Sequence, residues 1–376
     1  PLPTLFPYTT LFRSLTGTGG YVKVGRKGNA KWNFSETFTW SSPGFDLNDM
    51  GYMKETDYLM NETEIMYRQT DIWKIFRYNA FTLSQKNMWN YGGTPFSNNA
   101  SLRWQSMTMN RYEWDVKETF AWNWLDSRLL RGGPDVRFGS YFLTSAKFNT
   151  DKAKRMMFML KYEGDHNFEG NRFNTISPSL TFRLGNHVYL SGQLDYAWNT
   201  DEMQYVATTS PLSSSSLAPY YYVMGHMDQK TYGLTLKLQV NVTPDISIQF
   251  YGAPFTSIAK YDDFKLAADT KSHTFENRFQ RIDPDQLTYA DGVYTIGEGA
   301  GQMPFRNPDF RFNEFRSNLV ARWEYLPGST LYFVWEHRMS NRDNWYSSGW
   351  GSNLDRMWGL PATNTFMIKM NYWFNL

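Results

Sequence analysis

Period-two alternation of apolar and polar residues is the feature that most constrains this chain. At its end, Phe366, Ile368, Met370, Tyr372, Phe374 and Leu376 fall on one side, and Met367, Lys369, Asn371, Trp373 and Asn375 on the other. Side chains of a strand point alternately to opposite faces, so this stretch has one apolar and one mostly polar face. Its length, about eleven residues, is what a tilted strand needs to cross the hydrocarbon of a bilayer.

The pattern recurs in hairpins. Tyr232, Leu234, Leu236, Leu238, Val240 and Val242 oppose Thr235, Lys237, Gln239 and Asn241. Thr243-Pro244-Asp245 turns the chain, and Ile246, Ile248 and Phe250 resume the apolar side. A second hairpin turns at Gly185-Asn186 and carries Arg183, Gln193 and Asp195 opposite its apolar set. A third turns at Pro327-Gly328-Ser329, with Arg322, Glu324, Glu336 and Arg338 on the polar side.

A soluble sandwich alternates too, so the connections have to decide. The pattern predicts about fifteen strands, near 21–25, 31–40, 58–68, 72–84, 101–110, 113–124, 137–148, 155–163, 176–184, 187–198, 229–242, 246–255, 317–326, 330–339 and 364–376. Short turns near 26–30, 69–71, 111–112, 149–154, 185–186, 243–245 and 327–329 alternate with longer connections near 41–57, 85–100, 125–136, 164–175, 199–228, 256–316 and 340–363. Short turns on one rim and long loops on the other mark an all-β, transmembrane, up-and-down antiparallel barrel of the bacterial outer membrane, with periplasmic turns and extracellular loops. Greek-key sandwiches have no reason to keep that parity. Single-chain bacterial barrels have even strand counts, so the expectation for the intact barrel is sixteen, with one ascending strand upstream. Aromatic residues at strand ends, such as Tyr196, Trp198, Trp335 and Tyr372, are expected to form interfacial girdles.

Composition narrows the functional classes. Aromatic residues make up 18% of the 376 residues, yet charged residues make up 20%, as alternation requires. The net charge of +2 and the absence of basic runs give no reason to expect a nucleic-acid partner. Cysteine is absent, which excludes disulfides and thiolate metal sites. None of the five histidines sits in a ligand spacing such as HExxH. No metal, cofactor or catalytic residue is expected, and the chain is not expected to be an enzyme. The acidic stretch with Asp46, Asp49, Glu55 and Asp57 lacks the alternating acids, central Gly and closing Glu of a calcium loop.

The start of the chain reads differently. LFPYTTLFRS, Leu5 to Ser14, has no strand or helix period and no signal-peptide organisation. It resembles the translation of a sequencing-adapter oligonucleotide. Residues 1–14 are therefore expected to be an artefact, and 15–376 the C-terminal barrel domain, truncated at its N-terminus.

SNLVARWEYLPGSTLYFVWEHRM (317–339), SPGFDLNDMGYM (42–53) and the aromatic final strand resemble a Bacteroidetes family. Its C-terminal domain, domain of unknown function 5916, is read as an outer-membrane barrel that follows a module similar to family-9 carbohydrate-binding modules. The resemblance implies an outer-membrane location and a connection to glycans, and it supplies no active site.

On this reading the lumen-facing candidates are Arg183, Asp195, Lys237, Gln239, Arg322 and Glu324. The loop at 340–363 offers Trp345, Tyr346, Trp350 and Trp358 as glycan contacts, because flat aromatics stack on sugar rings. The mixed aromatic and charged segment 256–316 is expected to constrict the lumen or to lie across its mouth. The expected partners are outer-membrane lipid and a glycan or small solute. The expected function is a pore or uptake component linked to glycan use. The alternatives are a barrel that anchors and displays an N-terminal carbohydrate-binding domain, and an enzyme on the barrel rim.

Overall fold

The computed structural model describes residues 16–46, 53, 55–122, 124–212, 219–343 and 350–374. The expected artefact at 1–14 lies outside them. The first strands are β1 (Gly19–Arg26), β2 (Trp32–Ser41), β3 (Tyr58–Gln69), β4 (Phe76–Trp89), β5 (Pro95–Thr108) and β6 (Glu113–Trp122). Two short strands, β7 (Trp124–Asp126) and β8 (Val136–Phe138), precede β9 (Tyr141–Asn149), β10 (Met156–Asn167), β11 (Arg172–Leu184), β12 (Val188–Thr209), β13 (Tyr221–Asn241) and β14 (Ile246–Ala267). Then come α1 (Phe275–Arg278), β15 (Phe279–Arg281), β16 (Leu287–Ala290), β17 (Val293–Ile296) and β18 (Met303–Arg306). The chain ends with β19 (Phe310–Leu326), β20 (Ser329–Asp343), α2 (Trp350–Trp358) and β21 (Ala362–Asn371).

The molecule is all-β, built on one large antiparallel sheet of 16 strands. Its path runs β1 to β6, β9 to β14, then β19 to β21, and β15 joins the far end of β14. Each strand expected from alternation has its counterpart on that path, and each pairs with its neighbour in sequence. Among the described residues no ladder joins β1 to β21, so the cylinder expected from the sequence shows two edges.

Cross-strand partners share a face. Ile368 pairs with Phe333, Phe333 with Ala321, Ala321 with Ile248, Ile248 with Val240, Val240 with Val188, and Val188 with Leu184. One residue along, Lys369 pairs with Tyr332, Tyr332 with Arg322, Arg322 with Ser247, and Ser247 with Asn241. The two faces of the sheet therefore differ in chemistry. Apolar side chains of the first face stay exposed strand after strand, among them Phe34, Leu83, Leu102, Leu180, Leu190 and Ile368. So wide an exposed apolar surface is rare on an ordinary water-facing sheet.

The buried core lies elsewhere. β12, β13 and β14 are 22, 21 and 22 residues long, longer than every other described strand of the sheet, so their far ends project. Bulges between Asp201 and Gln204, Tyr205 and Ala207, and Met224 and His226 re-aim the projecting ends. Met203 and Met224 pack with Leu130, Val136 and Phe279 in one cluster. Val223 and Phe264 pack with Ile296 and Phe305 in a second. Adjacent residues of β13, Val223 and Met224, belong to different clusters, so the projection is covered on both faces. The segment of β7 and β8 with α1 and β15 covers one, and the small sheet of β16, β17 and β18 covers the other.

A buried ion pair fastens these connections. Arg278, 1% exposed, donates to both Glu169 oxygens at 2.6 and 3.0 Å and to the carbonyls of Arg137, Ser272 and His273. It thereby ties the segment after β14 to the turn after β10 and to β8.

Several connections depart from expectation. The long loops expected at 85–100 and 164–175 are tight turns, because β4, β5, β10 and β11 extend further than their alternation showed. Asn90 Oδ1 accepts from the Thr94 amide, and Asn167 Oδ1 accepts from the amides of Glu169 and Asn171, closing both turns with side-chain acceptors. Most of 199–228 is strand, since there the strands bury both faces and lose their alternation. The connection at 256–316 shrinks to 268–309 and is folded, with Phe279, Ile296 and Phe305 packed on the projecting ends of β12 to β14. Tyr196 and Trp198 consequently sit within β12, not at its end, where they stack at 5.2 Å.

Candidate functional site

The polar face holds the site. A recess of about 530 Å³ is lined from seven adjacent strands, β3 to β6 and β9 to β11, so the sheet curves with its polar face inside. Glu62, Lys86, Lys117, Glu163 and Asp165 supply its charges, beside hydroxyl and amide side chains. Glu62 lies opposite Lys86, and Lys117 opposite Ser145. Ser84 and Ser101 share a hydrogen bond of 2.7 Å, and Lys161 pairs with Glu163 at 2.7 Å. Lower on the same face Arg103 forks onto Asp115, with its Nε at 2.8 Å, and Gln105 donates to the same carboxylate at 3.1 Å.

All six polar residues singled out from the sequence lie on this face. Asp195 accepts from Ser177 at 2.6 Å and from Gln193 at 2.9 Å. Arg183 lies over the Tyr189 ring, and Tyr189 pairs across the strands with Gln239. Lys237 sits opposite Ser191 and Tyr251. Arg322 donates to Glu324 at 2.5 Å. The ladder thus places them together on one wall, outside the recess.

The recess residues Glu62, Lys86, Lys117, Glu163 and Asp165 were not singled out. Their signal was present, as polar positions in strands read as alternating. Neither were the carboxylate Glu314 and its partners Arg316 and Arg338, each 2.9 Å away.

The aromatic candidates fare differently. Trp345 and Tyr346 lie outside the described residues, as does the side chain of Trp350, which begins α2. Trp358 ends α2, packs edge-on against Phe315 at 4.9 Å, and remains exposed. Of the acidic stretch, Asp49 lies outside the described residues, Glu55 pairs with Arg128 at 3.4 Å, and Asp57 accepts from the Tyr91 amide.

On the projection, burial pushes the Asp201 carboxyl above the usual range. Burial works against the charged form of His226, but the surrounding carboxylates of Glu202, Asp228 and Asp262 outweigh it and raise its pKa. Glu202 lies 3.0 Å from His226 Nδ1 and Asp228 lies 3.5 Å from its Nε2. Among the described residues no group of three or more such side chains is arranged to hold a metal ion.

No curated protein and no solved structure matches the chain. One family model does, over residues 10–376. The chain therefore belongs to the family described as Domain of unknown function (DUF5916).

Proposed function

We propose that this sheet is a transmembrane barrel of a bacterial outer membrane and works as a pore or uptake component connected with glycan use. One observation carries the reading. A single curved sheet turns an exposed apolar face outward and holds charged and hydroxyl side chains round a recess of about 530 Å³ inside. Hydrocarbon tolerates a sheet only when its backbone groups are paired, so closure is part of the proposal. Fifteen antiparallel strands leave β1 and β21 pointing the same way. Closure then takes either a parallel pairing of these two or one further strand between them.

Selectivity in this reading comes from the inward charges, with Lys86 and Lys117 set against Glu62, Glu163 and Asp165 round the recess. The full chain, reconstituted in planar bilayers, is expected to conduct. Lys86→Glu with Lys117→Glu is expected to shift the reversal potential towards cations. Absence of both conductance and solute flux from well-inserted protein rejects the pore.

A second reading, a barrel that anchors and displays a carbohydrate-binding domain, draws support from the packed connections. Leu130, Val136 and Phe279 press against Met203 and Met224 on the projecting strands, and the Arg278–Glu169 pair locks them. A closed mouth suits an anchor. Glycan binding that survives in protein with no conductance favours this reading over the first.

A further inference from the structure

On the parts of β14, β19 and β20 away from their short turns, the outward face stops being apolar. Ile258 pairs with Arg311 and Arg311 with Asp343, while Thr256 pairs with Asn313 and Asn313 with Asn341. Along β19, Arg311 and Asn313 share their side with Phe315, Leu319 and Ala321 of the apolar face. Yet Thr256, Arg311 and Asn313 are at most 1% exposed. Helix α2 is the cover: it lies against all three strands, and its own Asn353 and Met357 are fully buried. Under it Arg311 donates to Asp343 and, at 3.4 Å, to Asn353. Asn341 donates to Asp343 at 3.1 Å, and Thr256 to Asn313 at 2.9 Å. A polar patch with a buried ion pair is thus roofed by a helix, on the side where β19 and β20 otherwise present apolar residues.

The helix runs down that face. Asn353 meets Arg311, whereas Trp358 meets Phe315, nearer the short turn of the β19–β20 hairpin. From Trp358 a line of rings continues along the outward side: Phe315 to His337 at 5.8 Å, His337 to Trp335 at 5.9 Å, and Trp335 to Phe366 at 6.1 Å. Both ends of the line are open, with Trp358 56% exposed and Phe366 64%. Helical spacing puts Trp358 and Arg356 on opposite flanks of the buried Met357, with Asp355 on the far side. One flank of α2 is therefore an exposed indole joined to the apolar face, and the rest of its exposed surface is polar. That is the composition of a helix lying at a membrane–water boundary.

We propose that α2 is an interfacial helix whose Trp358 flank sits in the lipid headgroup layer. Phe315 stands about eleven positions from the Leu326 end of β19, the length of one tilted crossing, so the foot of α2 falls where hydrocarbon gives way to headgroups. Asp355 and Arg356 stay in water. Arg311 and Asp343, which lipid could not solvate, are satisfied beneath the helix instead. The occupant is lipid and not a protein partner, because the Trp358 flank continues ring to ring into the apolar face. Trp358, singled out from the sequence as a glycan contact, thereby becomes a membrane contact on the outward side. The inference rests on the membrane reading above.

The test is the depth of a nitroxide at single introduced cysteines, which the cysteine-free chain permits. The full chain is inserted in phosphatidylcholine vesicles. Collisions of each label with oxygen, which dissolves in lipid, are compared with collisions with a water-soluble nickel chelate. Phe333→Cys, on the apolar face, is expected to meet oxygen alone, and Asp355→Cys to meet nickel. Trp358→Cys is expected between them, with nickel contact well below that of Asp355→Cys. Ala362→Cys, exposed on the same face opposite Met339 and outside the helix, keeps the indole in place and is expected to match Trp358→Cys. Hydrogen exchange of the α2 amides shows whether the helix stays seated in each labelled chain. Nickel contact equal to that of Asp355→Cys, either at Ala362→Cys or at Trp358→Cys with the α2 amides still protected, overturns the inference. Labels at both sites that meet neither reagent assign the flank to a second copy of the chain and overturn the lipid. A Phe333→Cys label that meets nickel refutes the membrane reading itself, a result distinct from an apolar face in lipid with α2 in water.

Discussion

Removing the guanidinium of Arg278 isolates what holds the projecting connections together. The side chain is 1% exposed and spends its donors on Glu169 and three backbone carbonyls. Arg278→Ala leaves Glu169, 13% exposed, with a buried charge and one remaining donor, the Gly139 amide at 3.0 Å. Breaking a buried pair from one side costs about 3–5 kcal/mol. In local opening this is a factor of between about two and four powers of ten. The loss should be confined to segments that Arg278 ties, 124–138, 168–171 and 268–281, because the main sheet keeps its own ladders. Hydrogen exchange read by mass spectrometry on detergent-solubilised protein resolves it: amides of these segments should exchange faster by that factor, while β19 and β20 stay protected. Arg278→Lys should recover only part, since an ammonium cannot fork onto a carboxylate and reach three carbonyls. Exchange accelerated less than about tenfold, or accelerated equally throughout the sheet, would refute the idea of a lock separable from the sheet.

Three further outcomes are expected. In urea titrations of vesicle-inserted protein, Phe333→Arg, on the apolar face, should cost about 2–4 kcal/mol, whereas its neighbour Tyr332→Arg, on the polar face, should cost well under half of that; equal losses contradict the assignment of faces. His226 holds its proton more tightly folded than unfolded, so its contribution to the projection is complete below its unfolded value of 6.5 and fades as pH rises through the raised folded value. Thermal unfolding of the projection followed from pH 5 to 8 should show this decline, and His226→Gln should flatten it. Finally, Asp195→Ala should leave Ser177, 4% exposed, without its carboxylate acceptor and lower stability by about 1–3 kcal/mol in equilibrium unfolding.

Much of the fold could be read in the residues, and its legibility follows a physical rule. Where a strand has one apolar and one polar surround, the sequence must alternate, and the expected bounds of β2 and β6 lie within two residues of the observed ones. Where a strand is covered on both faces, both sets of side chains are buried and alternation vanishes. That is why 199–209 and 221–228, which bury Met203, Val223, Met224 and Met227, read as loop in the sequence. The turns at Asn90 and Asn167 escape for another reason: they are closed by backbone pairs and one side-chain amide oxygen each, signals too local for a periodic pattern. Arg183, Asp195, Lys237, Gln239, Arg322 and Glu324 fell on one face because parity carries that information along each strand and pairing carries it between strands.

The residues by themselves determined that this chain forms amphipathic strands, how many lie on the main path, and which side chains share a face, because period-two sterics and hairpin pairing are local matters. Only the tertiary structure decided which polar residues meet round the recess and that Arg278 finds Glu169 across 109 positions. Those meetings depend on curvature, bulges and strand register summed over many ladders, and no window of sequence contains that sum.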